Sequence, residues 1–234
     1  MDPAPELGSM ASSQLRATRP MLIVPVGSTE QHGPHLPLDT DTRIAGAVAA
    51  AAAAHHGGDA LVATALAYGA SGEHQGFPGT VSIGTAALTT VLVEYGRSAC
   101  DWAARVLFVN GHGGNVEALR AAVGLLRDES RDVAWCSCAA PGADAHAGHT
   151  ETSLLLHLSP HLVRTDAVAA GNTEPLAGLM PAMRRGGVAA VSTSGVLGDP
   201  TTATAQAGAQ LFAAMVDDCV QRLRHWRPDD TGML

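Results

Sequence analysis

Apolar residues along this chain fall into short unbroken runs and longer stretches in which they recur every three or four positions. The runs Met21–Val26, Ala60–Leu66, Val106–Val109 and Asp132–Cys138 read as buried strands bounded by turn residues. The alanine-dense run Arg43–Ala54 reads as a helix, started by Asp41 or Thr42 and stopped at His55-His56-Gly57-Gly58. From Thr85 to Ala104, Leu88, Val91, Leu92, Tyr95, Ala99 and Trp102 mark one face of an amphipathic helix. Further helices are predicted over Val116–Asp128, Thr150–Leu158 and Thr201–Trp226, the last with Leu211, Met215, Cys219 and Leu223 on one side. Residues 171–200 read as irregular, around a helix at Pro175–Arg185 and a strand at Gly187–Val191. Residues 1–18 show no periodicity and are expected to form a loose arm with room for one helical turn. Residues 19–234 are expected to form a single domain.

Strands that alternate with helices predict an α/β fold with a mostly parallel sheet covered on both faces. In such sheets, sites lie beyond the carboxyl ends of the strands. Composition narrows the core and the chemistry. Of the 234 residues, 46% are apolar but only 3% aromatic, so Ala, Val and Leu must build the core. The chain has no lysine, which removes Schiff-base chemistry and any P-loop. A net charge of -8 with no arginine cluster argues against nucleic acid or a membrane surface as partner. No apolar run approaches the ~20 residues of a membrane span, and the first residues lack a signal-peptide layout. Cys100, Cys136, Cys138 and Cys219 sit in apolar segments and read as buried thiols, so the expected compartment is the reducing cytoplasm.

Three polar clusters fall where strands end. After Met21–Val26 come Glu30 and His32, which share a side if the chain stays extended, and a loop stiffened by Gly33, Pro34 and Pro37 that leads to Asp41. Asp41 reads either as a helix cap or as a third ligand beside them; oxygen and imidazole ligands together suit Zn, Mn or Fe(II). After Val106–Val109, His112 lies in Asn110-Gly111-His112-Gly113-Gly114-Asn115, either a plain turn or a ligand-bearing loop. The third cluster is Asp144-Ala145-His146-Ala147-Gly148-His149-Thr150-Glu151, where a carboxylate at a helix start also suits the macrodipole. A serine hydrolase, a zincin and a nucleoside deaminase each need a Gly-x-Ser-x-Gly, His-Glu-x-x-His or Pro-Cys-x-x-Cys motif, and the chain has none of them.

Together, Ser28–Pro37, Asn110–Asn115 and His146–Ser153 resemble the three signatures of the creatininase family, over about Glu6 to Trp226. The resemblance implies a three-layer α/β/α sandwich and a dinuclear metal amidohydrolase. It makes Glu30, His32, Asp41 and His112 ligands of two divalent ions per subunit (Zn, Fe(II) or Mn), with Asp41 between them. Creatininase proper carries a glutamate where this chain has Gly114, so Glu151 is assigned to fill that gap. His146 is the candidate to protonate the leaving amine, and His35 and His74 are candidates to orient ligands. Arg43, Ser71, Gly113 and Gly114 are expected at the substrate, with Arg43 or Arg184 as the fork for a terminal carboxylate.

Tyr68–Thr80 and Gly195–Thr204 look like the mycofactocin-maturation branch of the family, whose members release the C-terminal Val-Tyr-derived dipeptide from a modified precursor peptide. A homo-oligomer, a hexamer in particular, is expected from the family. Hydrolysis of another cyclic amide or formamide, or a non-catalytic metal-binding scaffold, stand as the alternatives.

Overall fold

Four strands, β1 (Met21–Val26), β2 (Ala60–Val62), β3 (Arg105–Asn110) and β4 (Val133–Ser137), form one sheet in the order β2-β1-β3-β4, every pair parallel. The computed structural model describes residues 4–15, 18–56, 60–140 and 142–234. A short helix, α1 (Ser12–Leu15), precedes the sheet. The crossovers carry α2 (Thr40–His56), α3 (Gly84–Ala99) and α4 (Val116–Asp128), and α5 (His149–Leu158), α6 (Leu176–Gly186) and α7 (Ala205–His225) follow β4.

Alternation along the strands divides the core into two apolar layers. Leu22, Val24, Val106, Phe108 and Trp135 pack with Leu88 and Leu92 of α3 and Leu119 and Leu126 of α4. Ile23, Leu107, Val109 and Cys136 pack instead with α2, α5 and α7, where Val48, Leu154, Val216 and Val220 meet them. The fold is therefore a sheet between two helical layers. Each fully buried aliphatic side chain removed from water contributes on the order of 1.5–3 kcal/mol. Among the described residues, no helix is long and apolar enough to cross a membrane.

Several expectations are corrected. The second strand stops at Val62 instead of Leu66, and Leu66 returns only as an isolated bridge to Val26. Pro25 supplies the reason. Ile23 O accepts from Ala63 N and Pro25 O accepts from Leu66 N, so Pro25 turns its missing N–H toward β2 and interrupts the ladder there. The strand expected at Gly187–Val191 is a 3-10 turn, Val188–Ala190, because Gly187 enters it with φ +66 and the short run meets no sheet edge. The last helix begins at Ala205, capped by Thr204 Oγ1, which accepts from Ala207 N. The expected helix stop at Gly57-Gly58 lies outside the described residues. The N-terminal stretch expected as a loose arm lies along the sheet edge: Val62 N donates to Pro5 O, and Leu7, Met10 and Leu15 pack on the core.

The strand order places the site. The chain moves from β1 to β2 on one side and then to β3 on the other, so connections diverge at the carboxyl ends of β1 and β3, where a crevice opens. The register pairs Val26 with Asn110, which aligns those two ends.

Candidate metal centre

Two loops leave these aligned strand ends, and the start of α2 closes over them. Gly111 N donates to Val26 O, which ties the loops together at their roots. Gly111 also lies against the Asp41 carbonyl so closely that an added Cβ would collide with it, so only glycine lets α2 begin there. Asn115 fastens the arrangement from behind: its amide donates to Gly27 O at 3.0 Å and its carbonyl accepts from Ala70 N at 2.9 Å. Glu30 N donates to Leu38 O, closing the proline-stiffened loop that returns the chain to Asp41.

The carboxylates and imidazoles converge. Asp41 lies between two histidines, with Oδ1 3.0 Å from His32 Nε2 and Oδ2 3.2 Å from His112 Nδ1. Glu30 Oε2 lies 3.2 Å from His112 Nε2, and Glu151 Oε2 lies 3.9 Å from His32 Nε2. Ser28 Oγ sits 2.8 Å from Glu30 Oε2 and 2.7 Å from Asp41 Oδ2, and its single proton can serve only one of them at a time. Glu30, His32, Asp41, His112 and His146 are all buried.

So many buried carboxylates demand compensating positive charge. Burial and the neighbouring Asp41 push Glu30 up to about 7. Burial, partly offset by His32 and reinforced by Asp41, likewise pushes Glu151 up to about 7. Burial alone would depress His32, but Asp41, Glu151 and Glu30 raise it to about 10. His112 also rises against its burial, driven by Glu30, Asp41 and Glu73. Protons on these imidazoles thus do the work that a cation could do. His74 and His35, held down to about 4 chiefly by burial, stay neutral.

Two observations test whether these residues suit a metal. Glu30 Oε1 is buried 3.2 Å from His74 Nε2 and yet has no hydrogen-bond partner, so its lone pairs point at shared space. In addition, Glu30/His32/Asp41, His32/His146/Glu151 and Glu30/His74/His146 each bring three potential ligand atoms within 4.8 Å of one another. Nitrogen and oxygen donors in this combination fit Zn, Mn or Fe(II).

Gln31, which the sequence reading passed over, sets the histidine tautomers. His146 Nε2 lies 2.7 Å from the Gln31 backbone carbonyl and 3.0 Å from the Gln31 side-chain nitrogen; with that amide's two protons on His74 Nδ1 and the Gly195 carbonyl, the imidazole nitrogen donates to the carbonyl and Nδ1 is bare. The Gln31 side-chain amide donates to His74 Nδ1 at 2.9 Å. His35 Nε2 pairs with Thr152 Oγ1 at 2.8 Å, behind the centre.

A cavity of about 470 Å³ opens onto the cluster. Asp41, His112, Gly113, Gly114, His146 and Glu151 line it, and Leu176, Met180, Met183 and Val188, from α6 and the turn after it, form an apolar wall with Arg184 at its edge. Two expected substrate contacts lie elsewhere. Arg43 Nε donates to Asp39 Oδ1 at 2.7 Å and does not line the cavity. Asp39 is its i−4 neighbour, just before α2 begins, and this half-exposed pair holds Arg43 away from the cluster. Ser71 is fully buried beside Glu30 and does not line the cavity. Sequence reading also missed Ser28, Glu73 and the α6 wall. Only Glu73 left a signal, a carboxylate next to a histidine in a glycine-rich loop.

The family model described as creatinine amidohydrolase matches residues 6–223. The chain belongs to the creatininase family. Similarity is high to the mycofactocin precursor peptide peptidase of Mycobacterium tuberculosis (strain ATCC 25618 / H37Rv), at 66% identity over 237 residues, 98% of this chain and 94% of that protein. Among solved structures, a creatininase variant described as the Zn-Zn type superimposes with TM-score 0.79 at 27% identity, covering 97% of this chain and 99% of that one. A manganese creatininase superimposes with TM-score 0.78 at 27% identity, covering 97% and 100%. The creatininase architecture therefore extends over nearly the whole chain.

Proposed function

We propose that this creatininase-family chain is a dinuclear metal-dependent peptidase that releases the C-terminal Val-Tyr-derived dipeptide from the modified mycofactocin precursor peptide. The observation that carries this reading is the placement of Asp41 between His32 and His112, with Glu30 and Glu151 on either side. The 66% identity to a peptidase described by that substrate supports the choice of peptide. So does the apolar α6 wall, which suits aliphatic and aromatic side chains better than a small polar ring.

Glu30, Asp41 and His112 would hold one divalent ion, and His32, Asp41 and Glu151 the other. Such a pair supplies a water acidic enough to attack near neutral pH and a Lewis acid for the carbonyl. The protein's own residues then manage protons and position. His146 keeps its Nε2 proton on the Gln31 carbonyl, and its bare Nδ1 takes a proton within the cavity and passes it to the leaving amine nitrogen. Gly113, with nothing within 4 Å of where a Cβ would stand, leaves the cavity floor open to a peptide backbone, while the α6 wall excludes water from the side chains that flank the scissile bond.

The direct test is mass spectrometry of a C-terminally modified precursor peptide incubated with metal-loaded protein. Release of the dipeptide, abolished by chelation and restored by Mn, Fe or Zn, is expected. Cleavage of small cyclic amides without the peptide, or stoichiometric metal without turnover on any amide, would overturn the assignment. Self-association is part of the proposal, and a hexamer is expected by light scattering. Exposed Leu38, Tyr68, Val81 and Ile83 on neighbouring loops supply apolar surface for it.

Metal uptake must displace the protons carried by His32 and His112 and those held near neutrality by Glu30 and Glu151. Because all four values are raised, affinity for Mn(II) or Zn(II) is expected to climb from about pH 6 to about pH 8, with protons released on binding. Calorimetry in two buffers of different ionisation enthalpy measures that release. Equal heats in both buffers would contradict the proton displacement.

A further inference from the structure

One carboxylate at the cluster has no role so far. Glu73 rides on the 3-10 turn Gly72–His74 and reaches the same His112 nitrogen that Glu30 approaches. Its Oε1 lies 3.3 Å from His112 Nε2 and 3.9 Å from His74 Nε2, and the residue lines the cavity. Two glycines make this possible. A Cβ on Gly114 would stand 2.5 Å from His112 Nε2 and 2.8 Å from Glu73 Oε1, besides colliding with the Ala70 carbonyl. Any side chain at 114 would therefore occupy the corner that the Glu73 carboxylate now fills. Gly187, at φ +66, packs on the backbone of Glu73, where an added Cβ would lie 2.5 Å from the Glu73 carbonyl oxygen. The turn that carries Glu73 is thus clamped from behind and its carboxylate is free to enter from the front.

We propose that Glu73 is a ligand of the divalent ion held at His112, entering through the corner that Gly114 leaves open. The inference rests on the metal-centre reading above and adds a residue to it. The half of the centre at His112 then carries one more carboxylate than the other: His32 and Glu151 flank Asp41 on one side, and His112 with Glu30 and Glu73 on the other.

The test compares wild type with Glu73→Gln and Glu73→Ala, after Mn(II), Zn(II) or Co(II) loading and gel filtration. Metal per chain is measured by mass spectrometry of the elements, affinity by competition with a chromogenic chelator, and ligand number by the visible bands of bound Co(II). Both variants are expected to keep one ion at wild-type affinity and to bind the second at least ~10-fold more weakly. Their residual second-site Co(II) bands are expected to be changed, because a ligand has gone. Retention of both ions at wild-type affinity would overturn the proposal. Weaker binding with unchanged Co(II) bands would also overturn it, since Glu73 would then only steady His112. A wild type that takes up no metal would sink the metal-centre reading itself, a result distinguishable because it appears before any substitution is made.

Discussion

Asp41→Asn protein is expected to lose both ions together, and peptide release with them, by roughly three orders of magnitude, or about 4 kcal/mol of barrier. Its carboxylate faces two imidazoles from opposite loops, with Oδ1 at His32 and Oδ2 at His112. An amide retains the shape but loses the charge and turns one of the two oxygens into a donor. That NH2 would point at His32 or at His112, so whichever side keeps the oxygen, the other is spoiled. The substitution also strips the main counter-charge from His32, whose raised pKa, reached against its burial, depends first on Asp41. In the variant His32 is therefore expected to titrate below its present value of about 10, which histidine NMR can follow in metal-free protein. Elemental analysis and turnover read the main effect. Retention of two ions per chain with undiminished turnover would remove Asp41 from the centre.

His146→Gln is expected to behave in the opposite way, keeping the metals and losing about 10²- to 10⁴-fold in kcat. The expectation follows from its tautomer. With Nε2 donating to the Gln31 carbonyl at 2.7 Å, the bare Nδ1 is the only nitrogen able to accept a proton, and it lies 3.7 Å from Glu30 Oε1. Burial, together with His32 and His74, holds His146 well below the usual histidine value, so it is neutral in the resting protein and must acquire the proton it later donates. KM is expected to change little, because the apolar wall of α6 and not this imidazole contacts the substrate side chains. The pH profile of kcat is expected to lose a limb in the variant. Loss of one ion on substitution would instead make His146 a ligand, an arrangement the triads it shares with Glu30 and His32 could accommodate.

The local pattern made much of the fold readable. Unbroken apolar runs bounded by turn residues suit strands buried on both faces, and three- and four-residue spacing suits a helix that buries one side. Most element positions and the all-parallel sheet follow from that pattern. The elements that departed from it are those where local sequence was not in control. The missing N–H of Pro25 cut β2 short, although Ala60–Leu66 reads as one strand. The run after Gly187 reads as β because it is apolar, but with no free sheet edge beside it the backbone coils into a 3-10 turn.

At the site, the sequence alone determined which candidate donors there are: one carboxylate–imidazole pair after β1, a glycine-flanked imidazole after β3, and a His ahead of α5 with a Glu in its first turn. Residue type and nearness to strand ends are local properties, so they survive in a linear reading. What only the tertiary structure decided is which of these groups face one another. The register of Val26 with Asn110 sets Glu30 beside His112. The glycine contact at Asp41 seats α2 over both loops, and the turn clamped by Gly187 brings Glu73 to His112, a pairing that its place in the linear sequence does not announce. Convergence of this kind depends on strand order and close backbone approach, and these are fixed by contacts between residues far apart along the chain.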